Sequence, residues 1–434
     1  MWTRINQPFQ VPAEVRQVLT TLYNAGFEAY LVGGSVRDFI RGQPIKDYDI
    51  ATSAHPDDIE KLFPKVLAIG RAFGVMKVIA ENGREIEVAT FRKESDYKDH
   101  RHPSSVTFSD VKADASRRDF TVNALYYDLK TGQILDLFGG LDDLKAKVIR
   151  AIGNPEERFI EDALRLLRAI RFSARFQFTI ESETRAAIFR TAALISEVSI
   201  ERIRDEVERM LTSSSCKQAF LDLEALGLME NVLPEISVAK LDQRKVSDQT
   251  VRVMAHLSAH SKSNSNSQTK EEPIAFYWAL LYLPTLRLHP VEKREVEAKK
   301  IAHRLKLSNE SSEQMAYLVR ETPKFKDAFS MREATLLRWM SEANFELLMR
   351  FHELDAVSYD GNLAGLEFVK SIYPEAKRRF HSKPLITGDD LVRLGMSPGR
   401  QFTEILRTIE DLVLEGKLTE SEQALEYVLK HFVR

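Results

Sequence analysis

Apolar positions in the first third of the chain switch repeatedly between two periods. Val15, Val18, Leu19 and Leu22 share one face of Val11–Gly26, the spacing of a helix. Ala29–Val32 predicts a short strand, and Gly33–Gly34 a turn into a helix beginning near Val36. Lys46–Ala51 alternates as a strand does, and Asp57–Phe63 predicts a short helix. Gly74–Ala80 and Arg84–Phe91 predict paired strands across Glu81–Asn82–Gly83, whose Asn-Gly step favours a hairpin turn. Arg92–Ser105 is polar with little periodicity and reads as an extended loop. Strand character returns at Val106–Ser109 and Leu125–Asp128.

From about residue 156 the pattern becomes helix after helix to the last residue. Ser258–Glu272 interrupts it with a low-complexity polar run, read as a mobile loop. A second boundary is expected near His381–Thr387, ahead of a helix start at Gly388–Asp389–Asp390. The fold class expected is therefore a small α/β (α+β) head followed by an all-α remainder.

Composition narrows the class. The 434 residues suffice for two to four domains, and 44% hydrophobic with 29% charged residues is an ordinary globular balance. One cysteine, Cys216, excludes an intramolecular disulfide and a Cys-rich zinc site, which fits a reducing cytosol. The N-terminus has no signal-peptide core, and no run of about 18 apolar residues follows, so a cytoplasmic protein with no membrane association is expected. His55, His100, His102 and His256 are scattered rather than grouped as zinc ligands. A net charge of −2 gives no global nucleic-acid signature, so any RNA contact must come from local clusters.

The first candidate chemistry is Asp47–Tyr48–Asp49–Ile50. Strand periodicity would put both carboxylates on one face, where they repel unless a cation compensates. Divalent metals supply that compensation, lower the pKa of an attacking 3′-hydroxyl and neutralise a leaving pyrophosphate. Mg²⁺ accepts one or two carboxylates plus substrate phosphates, which this spacing provides. Alone, the tripeptide is equally a surface strand. Upstream, however, Gly33–Gly34 and the following Arg37 offer backbone amides and a guanidinium suited to a triphosphate.

LVGGSVRDFIRGQPIKDYDIAT resembles the signature of the nucleotidyltransferase superfamily that includes DNA polymerase beta. More closely, the chain is similar to class II tRNA nucleotidyltransferases and bacterial poly(A) polymerases. Arg117–Arg118–Asp119–Phe120–Thr121–Val122–Asn123–Ala124 resembles the family's RRD-F-T-x-N-A motif. Asp136–Gly140 resembles the turn closing the head, and Glu161–Phe172 the E-D-x-x-R-x-x-R-A-x-R-F motif. Order and spacing agree across about 30–180. The resemblance implies a nucleotidyltransferase head of the polymerase-beta superfamily (1–145), a helical neck that recognises the base (146–215), a helical body (216–330) and a tRNA-binding helical tail (331–434).

The neck motif can also be read from its residues. At 100° per residue, Arg165, Arg168, Arg171 and Arg175 lie within one third of a helix circumference, opposite Leu166, Leu167, Ile170 and Ala174. The apolar side would pack, leaving a cationic ladder facing outward. Asp162 and Arg165, three apart, can act together. An accepting carboxylate beside a donating guanidinium matches cytosine and adenine, and leaves uracil or guanine with unpaired polar groups. The resemblance implies the same pair as an amino-acid template for CTP and ATP. Arg168, Arg171 and Arg118 then resemble arginines contacting the nucleotide, while Asp119 and Asn123 brace the site. Glu87 is a candidate third carboxylate, equally readable as an exposed strand residue.

Three features bear on the family member. The polar stretch Arg92–Pro103 is complete, and in the family this flexible loop helps switch from C to A addition. Ala72, Gly74 and Lys77 stand where proteobacterial poly(A) polymerases carry Arg/Lys, Arg/Lys and His. Pro384–Leu391, with Leu394–Gly395 and Pro398–Gly399, resembles the tail that grips the tRNA elbow. Ala279–Pro284 lacks the His-Asp dyad of relatives with a phosphohydrolase domain. Basic clusters at Lys293–Arg294, Lys299–Lys300, Arg304, Lys306 and Lys377–Arg379 offer phosphate contacts. The expectation is Mg²⁺-dependent, untemplated addition of C, C and A to a tRNA 3′ end from CTP and ATP, with no protein partner evident. The alternatives are A-only addition, poly(A) synthesis, or an inactive RNA-binding protein.

Overall fold

The computed structural model describes residues 1–4, 9–45, 47–97, 103–237, 244–265, 272–380 and 384–433. The chain divides into two compact units, 1–238 and 239–434.

The first unit is built on an eight-stranded sheet. Its elements begin with β1 (Trp2–Arg4), α1 (Ala13–Asn24), β2 (Ala29–Val32), α2 (Gly34–Ile40), β3 (Asp49–Thr52) and α3 (Pro56–Leu62). There follow β4 (Val66–Gly70), β5 (Val75–Ile79), β6 (Glu85–Thr90), β7 (Arg92–Tyr97), β8 (Pro103–Phe108), α4 (Val111–Ser116), β9 (Leu125–Asp128), β10 (Gln133–Asp136) and α5 (Gly140–Ala146). The sheet order is β1-β10-β9-β2-β3-β6-β5-β4. Every pair is antiparallel except β3–β6, which is parallel. Alternation on the central strands buries Leu31, Ile50, Val88 and Leu125 completely, and Val15, Leu19 and Leu22 of α1 are buried as their spacing required.

Four expectations change. Asp47 is not in a strand: β3 begins at Asp49, opposite Val32, the last residue of β2. Gly33 then leaves the sheet at φ +70°, so residues before Asp49 have no β2 partner. The described part of the polar stretch after the hairpin is not an irregular loop, because β7 and β8 pair antiparallel from Arg92↔Phe108 to Tyr97↔Pro103; 98–102 lie outside the described residues. A ladder needs backbone pairing, not an apolar face, so periodicity could not reveal it. Most of the supposed mobile loop is helical: Arg244–Ser265 is one helix, and only 266–271 of that run lie outside the described residues. The arginine ladder of the neck does not face outward, as shown below.

A helical layer completes this unit: α6 (Pro155–Glu161), α7 (Leu164–Phe176), α8 (Ser182–Thr191), α9 (Ile200–Leu211), α10 (Cys216–Ala225) and α11 (Met229–Val232), with a small parallel pair of β11 (Val148–Ile149) and β12 (Thr179–Ile180). The expected boundary at 215/216 falls inside this unit, since α10 packs on α7 and α9.

The second unit is helical among its described residues. The helix Ile274–Leu286, which contains Ala279–Pro284, is buried on nearly every side. Gly388–Arg393 starts where expected, with Thr387 and Asp390 forming a capping box. Ile386, Leu391, Ile405, Ile409, Leu418, Ala424 and Val428 form its C-terminal core. Parts of the basic clusters are neutralised locally: Lys299 pairs with Glu295 and Glu313, Lys300 with Glu297, and Lys377 with Glu346.

Candidate active site

The carboxylates meet at the parallel pair in the sheet. Asp49 opens β3 directly opposite Glu87 of β6, and Asp47 lies exposed on the approach. Burial, reinforced by the negative charges of Glu87 and Asp47 and only partly offset by Arg118, pushes the Asp49 carboxyl up to about 6. A cluster that raises its own pKa lacks a compensating cation. Among the described residues no three His, Cys, Asp or Glu side chains converge as a closed metal cage. Asp49, Glu87 and Asp47 are carboxylate oxygen donors, the kind that a hard divalent ion takes.

Arg118 stands beside this cluster. Its Nε donates to the Tyr126 hydroxyl at 2.8 Å and its Nη2 to Asp114 at 3.0 Å. A Cβ on Gly33 would sit 3.6 Å from Arg118 Nη1, so this guanidinium edge borders the glycine turn. Burial alone would raise the Asp114 carboxyl, but Arg118 and Arg117 outweigh it and hold it at about 2. Asp114 and Tyr126 thus fix an arginine beside the Gly33 turn.

Arg37 is placed differently. Its Nε and Nη2 donate to the two oxygens of Asp38 at 2.9 and 3.0 Å, and its Nη1 to Asn123 Oδ1 at 2.5 Å. The guanidinium lies over the rings of Phe172 and Phe176, at 5.5 and 4.4 Å. It is 5% exposed and ties α2 to the neck; a Cβ on Gly34 would sit 3.5 Å from its Nη2, so it stands beside that glycine with its nitrogens already engaged.

Two of the neck arginines, Arg165 and Arg168, reach the head, and Arg171 turns to α9. Arg168 donates from Nε and Nη2 to Asp119 Oδ2 at 2.9 and 2.6 Å. Asp119 also accepts from Asn123 Nδ2 at 2.9 Å and from the Phe120 amide at 2.8 Å. Burial would raise this carboxyl; Arg168 and Asn123 prevail and hold it at about 2. Arg171, 7% exposed, donates from Nε to Glu206 of α9 at 2.5 Å. Arg165, also 7% exposed, donates to the carbonyls of Arg158 and Arg117 at 3.1 and 2.8 Å and to Glu161 at 3.0 Å. Of the four arginines only Arg175, at the helix end, is exposed.

Asp162 lies between α6 and α7, where Oδ1 accepts from the Leu164 amide at 3.2 Å. Both its oxygens take Arg202 Nη2 at 3.1 Å. Asp162 and Arg165 are neighbours at the start of α7, but each carboxylate or guanidinium has its own partners here.

Arg202, Glu206 and Asp114 were not singled out from the sequence. One signal was available: Ile203, Glu206, Val207 and Met210 occupy the i, i+3, i+4, i+7 stripe of α9, and all are buried. A glutamate on that stripe requires a buried cationic partner.

Residues 29–150 match the model of the poly A polymerase head domain, and 177–240 match a probable RNA and SrmB-binding site of polymerase A. The chain is 34% identical over 421 residues to a CCA-adding enzyme of Lactobacillus helveticus, covering 95% of each. It is 32% identical to one of Bacillus cytotoxicus over 94% of this chain and 95% of that one. A crystal structure of the Bacillus stearothermophilus CCA-adding enzyme in complex with CTP superposes with a TM-score of 0.75 at 25% identity, covering 98% of both chains.

Proposed function

The chain belongs to the family of CCA-adding enzymes and is a nucleotidyltransferase, and we propose that it adds C, C and A to tRNA 3′ ends from CTP and ATP without a nucleic-acid template. The observation that carries the catalytic assignment is Asp49, raised to about 6 beside Glu87, Asp47 and Arg118 at the edge of the Gly33 turn.

The family generally uses divalent metal ions, and we assign Asp47 and Asp49 as ligands of a two-metal Mg²⁺ site, with Glu87 as the neighbouring carboxylate. When bound, Mg²⁺ lowers the pKa of the RNA 3′-hydroxyl and neutralises the triphosphate. Gly34 lets the triphosphate approach the backbone, and Arg118 Nη1 supplies charge-assisted hydrogen bonds. Arg37 acts as a positioning residue for that turn through Asn123. Asp162 and Arg165 read the shared edge of cytosine and adenine. To do so they exchange some of their present partners for the base, with Arg202 steadying the carboxylate. Arg168 and Arg171 border the nucleotide; Arg168 also holds the neck to the head through Asp119, and Arg171 holds α7 to α9 through Glu206. We assign catalysis to 1–145, base recognition to 146–215 and tRNA binding to the body (216–330) and tail (331–434), with the protein acting in the cytoplasm.

Poly(A) synthesis is less well supported. Gly74 has φ +72°, and a Cβ there would meet the Phe108 ring at 2.9 Å. The Arg or Lys of the polymerase pattern does not fit that position. The test is incubation with tRNA transcripts ending at the discriminator base, at C and at CC, with CTP and ATP supplied separately. Full CCA activity extends all three in order; use of ATP alone on the CC-ended transcript would indicate A-only addition, and long A-tails on unrelated RNA a poly(A) polymerase.

A further inference from the structure

The second unit contains a cavity of about 330 Å³ whose polar groups serve none of the roles above. On its wall, Arg287 Nη2 donates to both oxygens of Asp355 at 2.7 and 2.5 Å, and its guanidinium lies 4.1 Å over the Tyr359 ring. Asp355 is 1% exposed. His352 stacks on Phe325 with ring centres 4.1 Å apart. Burial and the charge of Arg287 push the His352 imidazole down to about 4, so it is neutral at pH 7.

Three buried polar atoms here have no hydrogen-bond partner among the described residues: Arg287 Nη1, Thr322 Oγ1 and His352 Nδ1. Thr322 is 5% exposed, and the three residues come from separate elements, yet all line the one cavity. Buried donors left open cost stability, so their convergence marks a place where something else satisfies them.

The ionised residues of the lining balance, Arg287, Arg294 and Lys326 against Asp327, Asp355 and Asp360. Asp355 is buried and already bonded to Arg287, whereas Asp327 and Asp360 are exposed, so Arg287 Nη1 is the buried charged donor left for an added acceptor. The sixteen-residue helix Ala364–Arg379 also begins here, with Asn362 and Gly365 on the lining. A Cβ on Gly365 would meet the Phe325 carbonyl oxygen at 2.0 Å, so only glycine lets this first turn sit against the wall. The Ala364 amide of that helix is taken by Asn362 Oδ1, which leaves the next turn's amides, and these with a half-open guanidinium and an open hydroxyl on one lining match the several oxygens of a phosphate better than the two of a carboxylate. The volume exceeds that of inorganic phosphate, and Val291, Pro323 and Ala356 give an apolar side for an organic portion.

We propose that this cavity is a second ligand site, separate from the nucleotidyltransferase centre, that binds a small phosphate monoester through Arg287, Thr322 and the start of the helix Ala364–Arg379.

The test uses the full chain, with ribose 5-phosphate and inorganic phosphate as probes, unphosphorylated ribose as control, and calorimetric titration as the readout. Thr322→Val keeps the shape and removes only the open hydroxyl, so it folds at least as well as the parent. The expected result is one ribose 5-phosphate site that weakens roughly tenfold in Thr322→Val, with nucleotide incorporation into tRNA unchanged. A parallel weakening in Lys326→Met, at the exposed rim, would add support. The proposal is overturned if neither phosphate probe binds, if ribose binds equally well, or if ribose 5-phosphate binds both variants as tightly as the parent. It is also overturned if tRNA affinity, and not ribose 5-phosphate affinity, falls in Thr322→Val, since the open donors would then serve an RNA backbone phosphate.

Discussion

Asp119 of the head and Arg168 of the neck form a two-bond pair, Nε and Nη2 to a single carboxylate oxygen, across 49 residues of sequence. Asp119 is 8% exposed and also holds Asn123, which in turn holds Arg37. Removing one member of a buried pair leaves the other charge uncompensated. Asp119→Ala is therefore expected to cost about 3 kcal/mol of stability, read as a lower urea midpoint at unchanged slope. An unchanged midpoint would mean that the pair contributes nothing net.

The same pair gives the protein an acid limit. The carboxyls of Asp114 and Asp119 both sit at about 2 in the folded chain, against an ordinary value of 3.8. Above pH of about 4 both folded and unfolded chains are ionised there and the stabilisation is complete. As pH falls towards 2 the unfolded chain takes up these protons first, and about 2 kcal/mol per group is lost. Chemical denaturation between pH 5 and pH 2.5 should show this slope, reduced in Asp114→Asn and Asp119→Asn.

At the edge proposed to hold metal, Asp49→Ala should lower nucleotide incorporation by roughly a thousandfold or more, since a metal ligand supplies several kcal/mol of transition-state stabilisation. Filter binding of tRNA should be unaffected. EDTA should stop the parent enzyme, and Mg²⁺ restore it. Glu87→Gln separates ligand from neighbour: a loss matching Asp49→Ala would make Glu87 a third ligand, whereas a small change would leave it an electrostatic neighbour.

For base choice the expectation concerns selectivity more than rate. Arg165→Ala removes the guanidinium proposed to donate to the ring nitrogen, and discrimination of CTP over UTP should fall by roughly a hundredfold. The variant also loses the contacts to the Arg158 and Arg117 carbonyls, so its thermal midpoint should be measured alongside. Unchanged discrimination in a folded variant would remove Arg165 from the reading of the base.

Much of the head was legible because its signals are local. The face of α1, the Asn-Gly hairpin and β9 follow from spacing within a few residues. The three-residue β1 was not, because its stability comes from pairing with β10 some 130 residues away. The arginines of α7 were legible as a stripe but not in direction. A charged stripe normally meets water, and here Asp119 and Glu206 arrive from other elements to meet it instead. Likewise Asp47 and Asp49 could be paired on chemistry, while the end of β2 at Val32, which places Asp47 outside the strand, depends on a glycine turn.

The buried chain Arg37–Asn123–Asp119–Arg168, with Arg171 and Glu206 beyond it, has a mechanical consequence. It acts as a strut of fixed length between the turn proposed to hold the phosphates and the helix proposed to read the base. Swinging the neck away from the head would rupture the Asp119–Arg168 ion pair together with the bonds from Arg165 and Arg158 to the Arg117 and Ser116 carbonyls. A nucleotide bound between those two ends would be gauged like a workpiece in a caliper, whose opening the Asp119–Arg168 pair sets.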